Sequence, residues 1–199
     1  MKDSSKNRNE VYARYDIPPI ITMQIDTREQ LPLLFPSTIR IPHPERMGKD
    51  LVIEIKTQRI KLPYGDYRLA EFPECCVIER KGSARELNTN LLSPIDAIRQ
   101  AKAFRRLSTC EHPCLFIEAS PNGLWTATKY IRDPQRLLAS LTMVVAKYGF
   151  QLIWLPWIHK GPAGRREAGG ILAHLMLAYG IQKTLDILPD LIYDISNED

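Results

Sequence analysis

The sequence predicts an α/β fold with a central mixed sheet flanked by helices. Short apolar and β-branched segments dominate residues 20–81, and helical and strand patterns alternate after residue 93. The chain has 199 residues, of which 44% are hydrophobic and 25% charged, as expected for a soluble globular protein. Strands followed by strand–helix–strand–helix units favour a layered sheet. The length favours one domain over residues 19–182, between a flexible polar arm at 1–18 and an acidic tail at 183–199.

The strands of the first half are indicated by alternation and by turn residues. Thr22–Asp26 reads as a short strand, and Leu51–Lys56 alternates like a half-buried one. Four prolines predict an irregular connection over Leu31–Arg46. Pro63 and Gly65 predict a turn within Lys61–Tyr67. Cys75–Lys81 is apolar and then abruptly charged, which predicts a buried strand with a polar end.

The second half predicts helices separated by buried strands. Ser93 and Pro94 form an N-cap and first-turn pair, and Asp133-Pro134 starts a second helix that Gly149 ends. Apolar residues at helical spacing predict a buried face of the first of these helices at Ile95, Ile98, Ala101, Phe104 and Leu107. Pro113–Glu118 and Phe150–Leu155 are predicted strands. A loop at residues 161–164 precedes a last helix over Arg166–Tyr179.

The charge distribution favours a polyanionic partner. The chain carries 27 bases and 23 acids, but five of the acids and only one base follow Gly180. Residues 1–180 therefore hold 26 bases against 18 acids, a net charge of +8. Such a body suits nucleic acid, although a basic surface that serves solubility explains the same charge.

Nothing in the sequence predicts secretion or membrane insertion. The first ten residues contain no apolar core of a signal peptide, and the uncharged apolar stretches are shorter than a membrane span of about 20 residues. We therefore expect a soluble intracellular protein that makes no membrane contact. In a reducing compartment its four cysteines are expected to be thiols.

Two acids and a lysine form the pattern that carries chemistry. Glu79 and Lys81 point to one face of the predicted strand, with Arg80 on the other. The turn at Gly65 can bring Asp66 beside them. Two carboxylates are suitable ligands for Mg²⁺ or Mn²⁺, and a lysine can offset charge that develops on a phosphate. The spacing alone is also that of a surface ion pair.

Three ordered motifs resemble the XPF-type structure-specific endonuclease domain, a branch of the PD-(D/E)xK nuclease superfamily. They are Ile25–Glu29, Leu62–Tyr67 and Val77–Lys81, which match the D-x-R-E, G-D-[YF] and V-x-E-R-K signatures. The resemblance continues in the helix with Gln100 and the strand Leu115–Glu118, and covers residues 21–180. It implies a restriction-endonuclease-like fold.

The resemblance also implies the residues of the site. Asp66 and Glu79 correspond to metal ligands, with Asp26 as a further acidic ligand and Lys81 as the catalytic lysine. The remaining motif residues at the site are Arg28, Glu29 and Arg80. The implied cofactor is Mg²⁺, for which Mn²⁺ can substitute.

The sequence departs from the family in two places. Where many members have an acid four residues after the lysine, this chain has Arg85, and its acid is Glu86. The tandem helix–hairpin–helix modules of many cellular members have no counterpart here.

The expected activity is metal-dependent cleavage of branched, flap or junction DNA during repair or recombination. Cations on one helix face could follow a phosphate backbone or lie in solvent: Arg99, Lys102, Arg105 and Arg106. The expected location is the nucleoid of a prokaryote or phage-infected cell, or the nucleus of a eukaryote. Two alternatives are a non-catalytic DNA-binding scaffold of the same fold and a nuclease that cuts ordinary duplex.

Two further features have a structural and a functional interpretation. The apolar arc of the last helix, which includes Leu172 and Met176, fits core packing or a homodimer face. The segment Cys110–Cys114, with Cys75 and Cys76, offers soft metal ligands but no C-x-x-C knuckle. Buried thiols and a surface histidine are therefore the expected arrangement there.

Overall fold

A seven-stranded mixed sheet forms the centre of the molecule. The computed structural model describes residues 10–46, 48–155 and 161–182. The strands are β1 (Ile20–Asp26), β2 (Thr38–Pro42), β3 (Asp50–Ile60), β4 (Tyr67–Leu69), β5 (Cys76–Lys81), β6 (His112–Ile117) and β7 (Gln151–Trp154). The helices with defined bounds are α1 (Ala84–Leu92), α2 (Pro94–Leu107), α3 (Pro121–Trp125), α4 (Pro134–Tyr148) and α5 (Pro162–Gly180).

The strand order is β2-β3-β1-β4-β5-β6-β7. β1 is parallel to β3, and β5, β6 and β7 are parallel to one another. The short strand β4 is antiparallel to both β1 and β5 and joins the two parallel parts. The expected α/β class with a central mixed sheet and flanking helices is confirmed.

Two apolar clusters cover the two faces of the sheet. On one face Tyr67, Ile78 and Phe116 pack with Leu172 and Met176 of α5. On the other face Val77 and Leu115 pack with Phe104 of α2 and Leu137 of α4. Because side chains alternate along β5, Ile78 and Arg80 belong to the α5 face, and Val77, Glu79 and Lys81 to the α2 face. This alternation decides where the charged end of β5 points.

The helix caps follow the sequence signals. Asp133 accepts a hydrogen bond from the Arg136 N–H at the start of α4, and Gly149 ends α4 with φ = 66°. Ser83 caps α1 by accepting from the Glu86 N–H, although the sequence analysis did not predict that helix. A Ser-x-x-Glu box satisfies exposed backbone donors at a helix start, and here it positions Glu86.

Three predictions about local structure are wrong. The prolines of Leu31–Arg46 do not exclude a strand, because Thr38–Pro42 pairs with β3 at the sheet edge. Residues 162–164 are helical, and α5 starts at Pro162, since proline fits a first helical turn. Ile95 and Ile98 are 83% and 63% exposed, because a series of residues three apart drifts by about 60° per step around a helix, and these two lie opposite the buried side formed by Gln100, Phe104 and Leu107.

The described part of the predicted arm contributes to the core. Residues 10–14 are helical, Val11 and Tyr12 are buried, and the Tyr12 hydroxyl donates to the Val52 carbonyl over 2.8 Å. The predicted acidic tail at 183–199 lies outside the described residues. The four cysteines form no disulfides with one another. Within the described residues, no helix combines the length and apolar character that a membrane span requires.

Candidate active site

Asp66 is positioned by a turn that only glycine fits well. Gly65 has φ = 69°, and a Cβ there would lie 2.5 Å from Val77 Cγ1. The Asp66 N–H donates to the Ile78 carbonyl over 2.7 Å, and the Asp66 carbonyl accepts from the Asp26 N–H over 2.9 Å. These bonds fix Asp66 between the ends of β1 and β5. Its carboxylate Oδ2 accepts from the Arg80 N–H over 2.7 Å.

Glu79, Lys81 and Gln100 form a closed hydrogen-bonded triangle. Lys81 Nζ donates to Glu79 Oε1 over 2.7 Å and to Gln100 Oε1 over 3.1 Å. Gln100 Nε2 donates to the same Glu79 oxygen over 3.0 Å. The period of β5 places Glu79 and Lys81 on the α2 face, and α2 supplies the amide. Gln100 therefore holds the carboxylate and the ammonium in one arrangement.

The charges of Asp66 and Glu79 act on each other directly. Burial is the main reason that the pKa of Asp66 rises to about 8, and the negative charge of Glu79 raises it further. The hydrogen bond from the Arg80 N–H and the charge of Lys81 oppose that rise. Two carboxylates that act on each other in a partly buried place repel, and a bound divalent cation would offset that repulsion.

Asp26 lies wholly buried beside this pair and binds Arg28. Its carboxylate accepts from Arg28 Nε and N over 2.7 Å each, from Arg28 Nη2 over 2.9 Å, and from the Leu62 N–H over 2.7 Å. Burial alone would raise the pKa of Asp26, but these hydrogen bonds outweigh it and lower the pKa below its usual value. Both oxygens of Asp26 are thus occupied by donors of the protein.

Arg28 connects Asp26 to the two acids of the site. Its hydrogen bond to Asp26 raises the pKa of Arg28 against the effect of burial, and the charges of Asp66 and Glu79 raise it further. The side chain is 59% exposed, so the guanidinium can also face a ligand. Arg28 is the cation that borders the carboxylates from the β1 side.

Arg80 and Glu29 meet on the other face of β5. Arg80 Nε donates to Glu118 Oε1 over 2.7 Å, and Nη1 donates to Glu29 Oε1 over 3.1 Å and to the Leu31 carbonyl over 2.9 Å. Burial opposes the charge of Arg80, but the hydrogen bond to Glu118 outweighs it and raises the pKa. The structure thus separates the Arg80 and Glu29 side chains from the Glu79–Lys81 pair and makes them a buried brace between β5, β6 and residues 29–31.

Gln100 and Glu86 are two site residues that the sequence analysis did not assign. Glu86 Oε2 accepts from the Gly82 N–H over 3.0 Å, and its Oε1 lies 4.0 Å from Lys81 Nζ. The capping-box spacing of Ser83 and Glu86 is a local signal that could have indicated the position of Glu86. The resemblance already pointed to the helix with Gln100, but only the packing of α2 brings its amide to β5.

The four cations predicted to contact DNA are all exposed on α2. Gln100, Phe104 and Leu107 form the buried side of this helix, and at 100° per residue Arg99, Lys102 and Arg106 point away from it. Arg99 also pairs with Asp96 over 2.7 Å. The cationic face is therefore free to meet a ligand from solvent but does not line the carboxylate pair.

Comparisons with known proteins give structural neighbours only. No family model and no curated sequence matches the chain. Solved structures with a similar fold include XPF from Aeropyrum pernix, at 21% identity and a TM-score of 0.49, over 77% of this chain and 60% of that chain. XPF from Aeropyrum pernix in complex with DNA matches with the same identity and TM-score, over 85% of this chain and 68% of that chain.

Proposed function

We propose that this protein is a metal-dependent DNA endonuclease. The observation that carries the proposal is the arrangement of Asp66, Glu79 and Lys81 at the end of β5. Asp66 accepts a hydrogen bond from the N–H of the residue that follows Glu79, the charge of Glu79 raises the pKa of Asp66, and the Lys81 ammonium is hydrogen-bonded to Glu79. This is the donor set that hydrolysis of a phosphodiester needs: oxygen ligands for a cation and a positive charge for the phosphate.

The donor atoms fit Mg²⁺ or Mn²⁺. Both ions prefer carboxylate oxygens, and neither a thiol nor an imidazole belongs to the triangle or to its contacts with Asp66. Asp66 and Glu79 are the proposed ligands. Asp26, whose oxygens already accept four hydrogen bonds, would have to exchange a partner to join them. A bound cation would supply polarisation of the phosphate and a lowered pKa of water.

Lys81 has one N–H donor left for the reaction. An ammonium carries three donors, and hydrogen bonds within the described part of the chain use two, to Glu79 and Gln100. The third can orient the attacking water or donate to a phosphate oxygen as negative charge builds on it. Gln100 is hydrogen-bonded to both Lys81 and Glu79 and so fixes the direction of the remaining N–H. Arg28, exposed at the rim, can bind the same phosphate group.

The substrate is proposed to be DNA that is branched or has a junction between single strand and duplex. The support is the net charge of +8 over residues 1–180 and the exposed cations of α2, which suit a phosphate backbone. We expect Arg105→Ala and Arg106→Ala to weaken binding to all DNA forms alike, because phosphate contacts carry no sequence information. A homodimer remains a prediction that light scattering of the purified chain tests.

The deciding experiment compares cleavage of flap, fork, four-way junction and linear duplex DNA in Mg²⁺, Mn²⁺ and EDTA. Wild type should cut at least one branched form only with metal. Glu79→Gln should bind DNA but lose cleavage, whereas Glu54→Gln, an exposed glutamate of β3, should cut normally. Binding without metal-dependent cleavage would support the scaffold alternative instead. Equal cleavage of linear duplex would support the nuclease of ordinary DNA.

A further inference from the structure

A second group of metal-ligating side chains lies at the far end of β5 and β6. Cys75, Glu111 and His112 stand where these two parallel strands begin, and we call them the cysteine–histidine cluster. Glu79 lies four positions further along the chain than Cys75, near the opposite end of β5. At about 3.3 Å per residue, the cluster is roughly 13 Å from this carboxylate. It is therefore a separate site that the proposed nuclease chemistry does not use.

The three ligand atoms are close enough to share one ion. The Cys75 sulfur, a Glu111 carboxylate oxygen and a His112 ring nitrogen all lie within 4.8 Å of one another. His112 Nε2 is 3.9 Å from Glu111 Oε1. Tetrahedral zinc with bonds of about 2.0–2.3 Å requires ligand atoms about 3.3–3.7 Å apart. Side-chain rotations that shift these atoms by about 1 Å would close this difference.

The backbone holds the cluster together before any ion binds. The Glu111 N–H donates to the Glu74 carbonyl over 3.0 Å, and the His112 N–H donates to the Cys75 carbonyl over 2.7 Å. The His112 ring stacks on the Tyr179 ring of α5, with centroids 4.3 Å apart and an angle of 22°. This stacking restricts the histidine to one ring plane. The backbone at the cluster and the plane of the His112 ring are therefore fixed before an ion binds.

The chemistry of the donors selects zinc rather than magnesium. A thiolate, an imidazole and a carboxylate are ligands that Zn²⁺ accepts, whereas Mg²⁺ avoids sulfur. The thiolate and the carboxylate together would neutralise the charge of the ion. The other three cysteines, Cys76, Cys110 and Cys114, are buried in the two apolar clusters. Three protein ligands leave the fourth tetrahedral position for water.

We propose that Cys75, Glu111 and His112 bind one Zn²⁺ ion, which ties the start of β5 to the start of β6. The ion would act as a structural cross-link between two neighbouring strands. Since zinc binds the folded arrangement and not the separated ligands, it should raise the melting temperature. The sequence analysis expected no zinc site because the segment has no C-x-x-C knuckle, whereas the structure brings Cys75, just before β5, next to Glu111 and His112 at the start of β6.

The test uses the full-length chain after treatment with EDTA and desalting, with Zn²⁺ and Co²⁺ as probes. Calorimetric titration should show one tight Zn²⁺ equivalent, and Co²⁺ should give a sulfur-to-metal charge-transfer band. His112→Gln and Glu111→Gln should each weaken Zn²⁺ binding by about tenfold or more. Cys75→Ser should remove the cobalt band. Zinc should raise the melting temperature of wild type and leave that of Cys75→Ser unchanged.

Matched variants separate this site from the carboxylate pair. His174→Gln changes an exposed histidine elsewhere and should bind Zn²⁺ like wild type. The double variant Asp66→Asn with Glu79→Gln should also keep the tight equivalent. Unchanged zinc affinity in Glu111→Gln and His112→Gln would overturn the proposal, as would loss of zinc binding in the double variant. Glu111 is exposed, so its substitution tests the site without risk to the core.

Discussion

Asp66→Asn should make the metal-free protein more stable at alkaline pH while it removes a proposed metal ligand. The native structure raises the pKa of Asp66 from 3.8 to about 8, first through burial and then through the charge of Glu79. The folded chain therefore keeps a proton that the unfolded chain releases near pH 4. The contribution of Asp66 to the unfolding free energy of the wild type is therefore fully present below pH 4 and is lost as the pH rises toward 8.

The size of the effect follows from the shift. A change of about four pKa units corresponds to at most about 6 kcal/mol of unfolding free energy. Because Asp66 is only partly shielded and solvent reaches the site, we expect about a third of this, about 2 kcal/mol. For a chain of this length that is about 4–8 °C in melting temperature. Asparagine avoids the penalty and still accepts from the Arg80 N–H through its carbonyl oxygen.

The assay is thermal unfolding in EDTA, followed by circular dichroism at several pH values between 4 and 9. The variant should match wild type near pH 4 and exceed it increasingly up to about pH 8. Added Mg²⁺ should stabilise wild type at pH 8 and leave Asp66→Asn unaffected. Asp50→Asn, an exposed acid of β3, is the control that should show no such trend. A pH-independent difference, or a variant less stable than wild type at pH 8, would refute the reasoning.

Three further substitutions test the frame of the site. Gly65→Ala should lower the unfolding free energy measured in urea by about 2–4 kcal/mol, because the φ of 69° and the 2.5 Å approach to Val77 both oppose a Cβ. The control Gly149→Ala, with φ = 66° and no atom within 4 Å, should lose only the free energy of the unfavourable φ, about 1–2 kcal/mol. Gln100→Met should lower kcat about 10–100-fold with little change in KM, measured by single-turnover cleavage, because the lysine and the glutamate lose their common partner. Arg80→Met should lower the unfolding free energy by about 3–5 kcal/mol, because two nearly buried glutamates lose their cation; a loss below 1 kcal/mol would contradict its role as a brace.

The sequence predicted most of the sheet because its signals are local. Alternation along Val77–Lys81 correctly placed Glu79 and Lys81 on one face and Arg80 on the other. Proline, glycine and capping residues marked α4 to within a residue. The same local reasoning failed for Ile95 and Ile98, since residues spaced by three drift around a helix and only the packing shows which side of it is buried.

The partners of the charged side chains were decided only by the tertiary structure. The sequence by itself determined that Asp66, Glu79 and Lys81 are present, on a turn and a strand suited to bring them together. It did not show that Asp26 is occupied by Arg28, that Gln100 joins the lysine and the glutamate, or that Cys75 meets Glu111 and His112. The Asp26–Arg28 contact is local, but the other two join segments whose distance depends on how strands pair and helices pack. Hydrogen bonds act over about 3 Å, so their partners are known only once the packing of the whole chain is known.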